Sequence, residues 1–400
     1  MAALVARAVR RILDSYRGSG PVFRVLVVLL VCMGVYGLLV WLLVEQAPLL
    51  GLGGGGLAVT GLYDRYPWGL YIGFFAFWVG VAASAFIYLM AGHGLGVEGF
   101  KRFIGVAEAV AVSALGGAFL FILVDLGRPL RALELMPLLP GFPSSMLCWD
   151  FIVLASYMAL CLACYVTCLV ECSARLVAAL YTAAAPLAIG IHAVTAFIFQ
   201  SLVANTYWHG GLMAPRFIAT AFASGSALIL LLLLGYEHAG LVDLPDSVVR
   251  LGVRIEAASL AAALFMTLSE LQYALWSPPS SMEHRLYSLL LYGWGWDVPS
   301  RLFWVWVVLG SVSVVLAVMG FSSTRRGAAL VSALTLSAVA SEKALLLTIG
   351  GFVLWPFGVP ATYTPTAPEA AITVGVNALT LAAILLLSNA AVRSEGGVAG

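Results

Sequence analysis

The chain has 400 residues, 62% of them hydrophobic and only 10% charged, with a net charge of +1 and a mean hydropathy of +1.03. Soluble domains carry about 25% charged residues, so the composition excludes a water-soluble globular protein. The near-neutral balance without a basic tract gives no nucleic-acid footprint. The apolar runs are also too long, and too free of alternation, for barrel strands. An all-α polytopic membrane protein remains.

In chain order, residues 1–20 read as a short amphipathic basic helix, with Val5, Val9, Ile12 and Leu13 against Arg7, Arg10, Arg11 and Arg17. Such a helix lies on the inner leaflet, and no secretory signal is expected because no small-residue cleavage site follows. Ten runs of spanning length follow, near 22–44, 68–91, 103–124, 147–170, 181–203, 216–236, 251–272, 301–320, 328–351 and 369–389. Thirteen Lys and Arg residues fall in segments on the N-terminal side and six on the other. The positive-inside rule therefore predicts a multi-pass plasma-membrane protein with both termini in the cytoplasm.

The chain is expected to be a single transmembrane domain over 1–400, its longest outer loops falling at 45–67, 125–146 and 273–300. Lys101-Arg-Phe-Ile-Gly-Val-Ala-Glu108 and Arg250-Leu-Gly-Val-Arg254-Ile-Glu256 open helices three and seven in a similar way. An offset of four helices preserves topology, so a parallel repeat is suggested. The expected architecture is two four-helix bundles, helices 2–5 within 62–205 and helices 6–9 within 214–352, flanked by helices 1 and 10.

Several residues carry the chemistry. Helix three ends in Asp125-Leu-Gly-Arg128-Pro129, and the next helix opens with Cys148-Trp149-Asp150. Two carboxylates and an arginine thus reach the same membrane face at consecutive helix mouths, where unpaired charge is costly and points to function. Cys161, Cys164, Cys168 and Cys172 follow one helical face. A straight helix does not converge thiolates on a cluster, so these read as packing residues and no metal is expected.

Of five histidines only His192 lies well inside a helix, which disfavours a bis-histidine haem. Thr195 and Phe199 share its face. Glu108, Glu256 and Glu270 read either as helix-end carboxylates answered by nearby bases or as proton-path groups; Lys343 either pairs with Glu342 or joins such a path. Thr366-Ala-Pro-Glu369 reads as a capping box opening the last helix.

The Asp125–Pro129 and Trp149-Asp150 motifs resemble the NrfD/PsrC family, the membrane subunits of polysulfide reductase-like complexes. Trp68-Gly-Leu-Tyr71-Ile, Ala107-Glu108-Ala, His192-Ala-Val-Thr195-Ala-Phe, Trp208-His209 and Ala214-Pro215-Arg216-Phe217 support the likeness, as does Tyr363-Thr-Pro365-Thr-Ala-Pro-Glu369 for its ten-helix branch. The resemblance implies a quinone-interacting anchor of anaerobic respiration, without a bound metal or covalent cofactor, that takes menaquinone or another quinone as exchangeable ligand. It implies docking of a ferredoxin-like iron–sulfur subunit on the outer face, itself wired to a molybdopterin or hydrogenase catalytic subunit.

Carried over by position, Asp125, Arg128, Trp149, Asp150 and His192 would border the quinone, with Asp125 and Asp150 exchanging protons. Glu108, Glu256, Glu342 and Lys343 would form a proton path. Asp125 stands where many relatives have His before the Leu-Gly-Arg-Pro run. A secondary transporter or proton channel, or a purely structural anchor, would also suit ten helices with buried charges.

Overall fold

The computed structural model describes residues 2–400 except 52–54, 64–65, 83, 95, 130–141, 171–172, 204, 294–296, 350–362 and 397–400; at 2, 3, 49, 84, 93, 174, 297, 395 and 396 only the backbone is described. Among the described residues ten helices are long and apolar enough to cross a membrane. In chain order the helices are α1 (Ala2–Arg17), α2 (Pro21–Glu45), α3 (Leu70–Gly92), α4 (Ile104–Asp125), α5 (Met146–Leu169), α6 (Ala174–Gln200), α7 (Met213–His238), α8 (Asp246–Trp276), α9 (Met282–Tyr292), α10 (Asp297–Val318), α11 (Arg325–Thr348) and α12 (Ala367–Gly396). The spans are α2 to α8 and α10 to α12. Within hydrocarbon every backbone polar group needs an internal partner, which is why these apolar runs form continuous helices. Among the described residues the strand-like pairing is one isolated bridge, Tyr63 with Tyr66.

Local signals set the ends. Pro21 occupies the first turn of α2, where a missing N–H is harmless. Ser173, Ser281 and Thr324 accept from backbone N–H groups three residues on and so open α6, α9 and α11. At the end of α4 the chain reverses through Gly127, whose φ of +60° is strained for other residues.

Helices α3 to α6 pack each against the next, and α7, α8, α10 and α11 pack as a second closed set. Helices α3 and α6 lie against α7, joining the two sets, while α12 packs on α4 and carries α2 on its other side. At that last seam Gly37 and Gly375 bring two backbones together: a Cβ on either would come within 2.6 Å of the other's Cα. Small residues at a crossing are how membrane helices gain packing without a hydrophobic driving force.

The N-terminal segment is helical as expected, with Val5, Val9 and Leu13 about half exposed. It is also tied inward, because Asn389 Nδ2 on α12 donates to Ser15 Oγ at 2.6 Å and to Ser19 Oγ at 3.0 Å. One expectation needs correction. The segment 273–300 is not simply a loop: α8 runs to Trp276 and α9 fills residues 282–292, its Leu286, Tyr287 and Leu290 buried against the bundle.

A candidate quinone site at the helix mouths

Ten spans return the chain to the side on which it started, so both termini lie at one face of the membrane domain. The end of α4 and start of α5, the end of α6 and start of α7, and the α8–α9 turn share the opposite face. There a cleft of about 200 Å³ is bounded by the starts of α3 and α5 and the ends of α4 and α6. Its polar groups are Asp125 and Asp150; its walls include Trp68, Ile72, Phe75, Phe151 and Phe199. Two acids from different helices are thereby brought to one apolar space.

Asp150 sits five residues into α5, past its Ser145 N-cap, and is buried at 3% exposure. Thr195 Oγ1 on α6 donates to its Oδ1 at 2.6 Å. Asp125 is the last residue of α4, and its Oδ1 is buried without a hydrogen-bond partner. Among the described residues neither acid has an ion pair. Trp68, Phe199 and Trp208 pack with ring centroids 5.3–5.5 Å apart and stiffen one wall. Leu147, in its lining, is half exposed.

Three other residues assigned by sequence to this site lie outside its lining. Arg128 is exposed in the turn after α4. Trp149 is exposed too; its Nε1 donates to Pro143 O at 2.8 Å and its ring packs on Phe142. The cause is helical geometry, since neighbours in α5 diverge by about 100° and only one of Trp149 and Asp150 can face the cleft. His192 is buried lower on α6, between Ala188 O (Nδ1, 2.7 Å) and Gly80 O (Nε2, 3.4 Å). Its ring lies between a carbonyl of α6 and one of α3, and a neutral ring donates to one of the two.

Beside Asp125 lies a group that sequence reasoning did not connect to it. Glu45, at the end of α2, is fully buried and accepts from Tyr71 Oη at 3.0 Å. Its neighbour Gln46 donates to Gly127 O at 3.1 Å, fastening α2 to the Asp125 turn. Glu369 completes the cluster. The capping box with Thr366 is present, but the same carboxylate also accepts from Gly61 N, Leu70 N and Tyr363 Oη. Burial, and then this bond to Glu369, pushes the Tyr363 hydroxyl above its ordinary value, so it stays a proton donor. The capping account was therefore incomplete: Glu369 ties the start of α12 to the approach to α3. Glu45 closes a helix and Glu369 opens one, so nothing local in the sequence links them.

The remaining acids are deeper than helix-end carboxylates. Lys101 pairs with Glu98 and Arg250 with Asp246, so neither answers Glu108 or Glu256. Glu108 is buried with Oε2 unpartnered; Glu256 is buried, takes a bond from Ser332 Oγ at 3.0 Å and likewise keeps Oε2 unpartnered. Cys161 lies against Glu108, and Cys168 against Tyr181 Oη at 3.5 Å, within the seams of the first helix set. Cys172 lies outside the described residues.

In the second set, Arg216 on α7 is buried between Glu270 of α8 and Glu342 of α11. Lys343 Nζ lies 2.9 Å from Glu342 Oε2, donates to Thr220 Oγ1 at 3.1 Å and sits 3.6 Å above the Phe217 ring. Two cations and two carboxylates thus form a neutral quartet. Arg216 and Glu270 are its members that the site assignment left out, although Arg216 stands in a motif that carried the resemblance.

Comparison with known proteins follows this geometry. The family profile for NrfD, polysulphide reductase, matches residues 58–354. The chain is 29% identical to a dimethyl sulfoxide reductase membrane subunit of Halobacterium salinarum, with 83% of this chain and 84% of that one covered. It is 24% identical to a selenate reductase subunit of Mesobacillus selenatarsenatis over 62% and 66% of the two chains. It is also 24% identical to the Hdr-like menaquinol oxidoreductase integral membrane subunit of Archaeoglobus fulgidus over 44% and 43%. With a profile match across most of its length and ten membrane-spanning helices around the motif-bearing mouths, this chain belongs to the NrfD polysulphide reductase family.

Proposed function

We propose that this chain is the quinone-interacting membrane subunit of a respiratory oxidoreductase complex. It exchanges electrons between the membrane quinone pool and an iron–sulfur subunit seated on the face opposite the termini. The observation that carries this reading is the apolar cleft holding two acids with no cationic partner among the described residues. A relative named for menaquinol oxidation supports it. By the same reading the termini are cytoplasmic, the membrane is the plasma membrane, and a molybdopterin or hydrogenase subunit lies beyond the iron–sulfur protein.

Interconversion of a quinone and its quinol moves two electrons and two protons. The electrons pass through the partner; the protons need groups that hold and release them beside the ring. Asp150, fixed by Thr195, is positioned to exchange one with a ring oxygen, and Asp125, with Oδ1 unclaimed, the other. The aromatic wall of Trp68 and Phe199 offers a flat surface for the ring and keeps bulk water from the acids. Glu45, which accepts from Tyr71, is the next acid through which a proton from Asp125 would leave. Glu108, Glu256, Glu342 and Lys343 are the groups through which proton translocation would run, if redox turnover is coupled to it.

The test uses the purified complex with Asp150→Asn. The amide keeps the shape and can still accept from Thr195, but exchanges no proton. The expected result is intact assembly, unchanged activity with water-soluble dyes, and quinone-linked turnover lower by about 10²-fold or more. Full quinone activity in this variant would place the chemistry elsewhere.

A further inference from the structure

A second and larger cleft, of about 450 Å³, opens at the same face but in the other helix set, between the α6–α7 connection, the end of α8 and the start of α9. Tyr207, His209, Gly210, Glu270, Tyr273 and Tyr287 contribute to its lining. Glu270 is bound on one side only: Arg216 Nη1 and Tyr287 Oη (3.2 Å) both hold Oε2. Oε1 is buried without a partner.

Gly210 stands where a side chain would obstruct that oxygen. A Cβ there would lie 2.9 Å from Oε1. The loop carrying Gly210 is fixed, since His209 Nδ1 donates to Gln200 O at 2.7 Å. That bond leaves His209 Nε2 as an acceptor at the rim. Burial pushes the Tyr287 hydroxyl well above its ordinary value, so it remains a donor rather than a second anion.

The ligand class follows from charge and exposure. Because Arg216, Lys343, Glu270 and Glu342 already cancel, the buried base of the cleft calls for a neutral hydrogen-bond donor rather than a cation. Aromatic side chains call for a flat ring. The neighbouring face of α8 is an exposed apolar stripe, Phe265 at 72%, Leu268 at 47% and Trp276 at 86%, with Tyr273 at 69% beside the cleft. A ligand arriving along that stripe comes from the lipid phase.

We infer that the Glu270 cleft is a second binding site for the hydroxyl-bearing ring of a membrane-soluble quinol, with the ring hydroxyl donating to Glu270 Oε1 and the tail lying along α8. It is a binding site only, with no redox step assigned. The ring class rests on the proposed function; the existence of the site rests on the cleft and the unclaimed oxygen.

The experiment is photolabelling of the purified complex with an azido-naphthoquinol, kept reduced so that its ring hydroxyls are present, read by peptide mapping, in wild type, Gly210→Val and Asp150→Asn. Wild type is expected to label both the 147–151 segment and the 270–287 segment. Gly210→Val crowds Oε1, its Cβ falling 2.9 Å from that oxygen, and should cut 270–287 labelling about tenfold or more while sparing 147–151. Asp150→Asn should leave 270–287 labelling intact. Labelling confined to 147–151, or 270–287 labelling indifferent to Gly210→Val, overturns the inference. So does displacement of the 270–287 label by phosphatidylethanolamine vesicles but not by added quinol, which would mark a lipid ammonium as the occupant. Loss of 147–151 labelling alone would instead count against the proposed function.

Discussion

The carboxylate clusters around Asp150 and around Glu270, one in each helix set, are compensated in opposite ways. In the second, Glu270 and Glu342 are answered by Arg216 and Lys343, and the charges cancel. In the first, Asp125 and Asp150 meet apolar walls, a threonine hydroxyl and no cation among the described residues. Charge in a low-dielectric interior is stable only if compensated; an acid left uncompensated favours its neutral form and holds a proton that it can give away. The Arg216 cluster spends its ionisable groups on structure, and in the proposed function the Asp125 and Asp150 cluster keeps its own available for exchange.

Substitutions at the two sites should therefore separate stability from activity. The largest expected effect is at the quartet. Arg216→Met leaves Glu270 without a cation and Glu342 with Lys343 alone, and should cost about 3–5 kcal/mol, with loss of assembled complex from detergent extracts. A thermal-aggregation midpoint indistinguishable from wild type would mean that water, not Arg216, compensates Glu270. Asp125→Asn removes a buried acid that lacks a partner, so the same assay should show no loss of stability. Its quinone-linked rate should nevertheless fall by at least about 10²-fold with dye activity retained. A variant that unfolds without losing its specific rate would merge the two classes.

Smaller effects sharpen the frame around the cleft. Gly127→Ala forces a Cβ onto a backbone with φ of +60°, costing about 1–2 kcal/mol, and should raise the KM for quinol before it lowers stability detectably. The smallest is Thr366→Ala, which loses one end of the capping box for about 1 kcal/mol. Because Glu369 keeps its bonds to Gly61, Leu70 and Tyr363, quinone turnover should be unchanged. A turnover defect there would make the α12 cap part of the site.

The ten spans were legible because each is an uninterrupted apolar run, and the acids at the mouths of α4 and α5 were legible because a charge beside such a run is conspicuous. What failed was side-chain direction. The resemblance places Trp149 with Asp150, although neighbours in a helix point apart; it places His192 there too, although that ring lies between carbonyls of α6 and α3. Partners distant in sequence were equally invisible. Glu45 and Glu369 approach Asp125 only through the packing of α2 and α12 around α4, and Glu270 finds Arg216 across 54 positions. Periodicity carries the run of a helix, not the identity of what faces it.

The seam at Gly37 and Gly375 has a mechanical consequence. Helix α2 is the span least embedded in the protein, 17% buried, yet backbone contact with α12 makes the pair stiff in the middle, and Gln46 pins its end to the Gly127 turn. It behaves as an outrigger rather than a loose strut. A lateral push on its wide free flank, from a neighbouring subunit or a change in bilayer thickness, is transmitted along the rod to the turn beside Asp125 instead of being absorbed by sliding between helices.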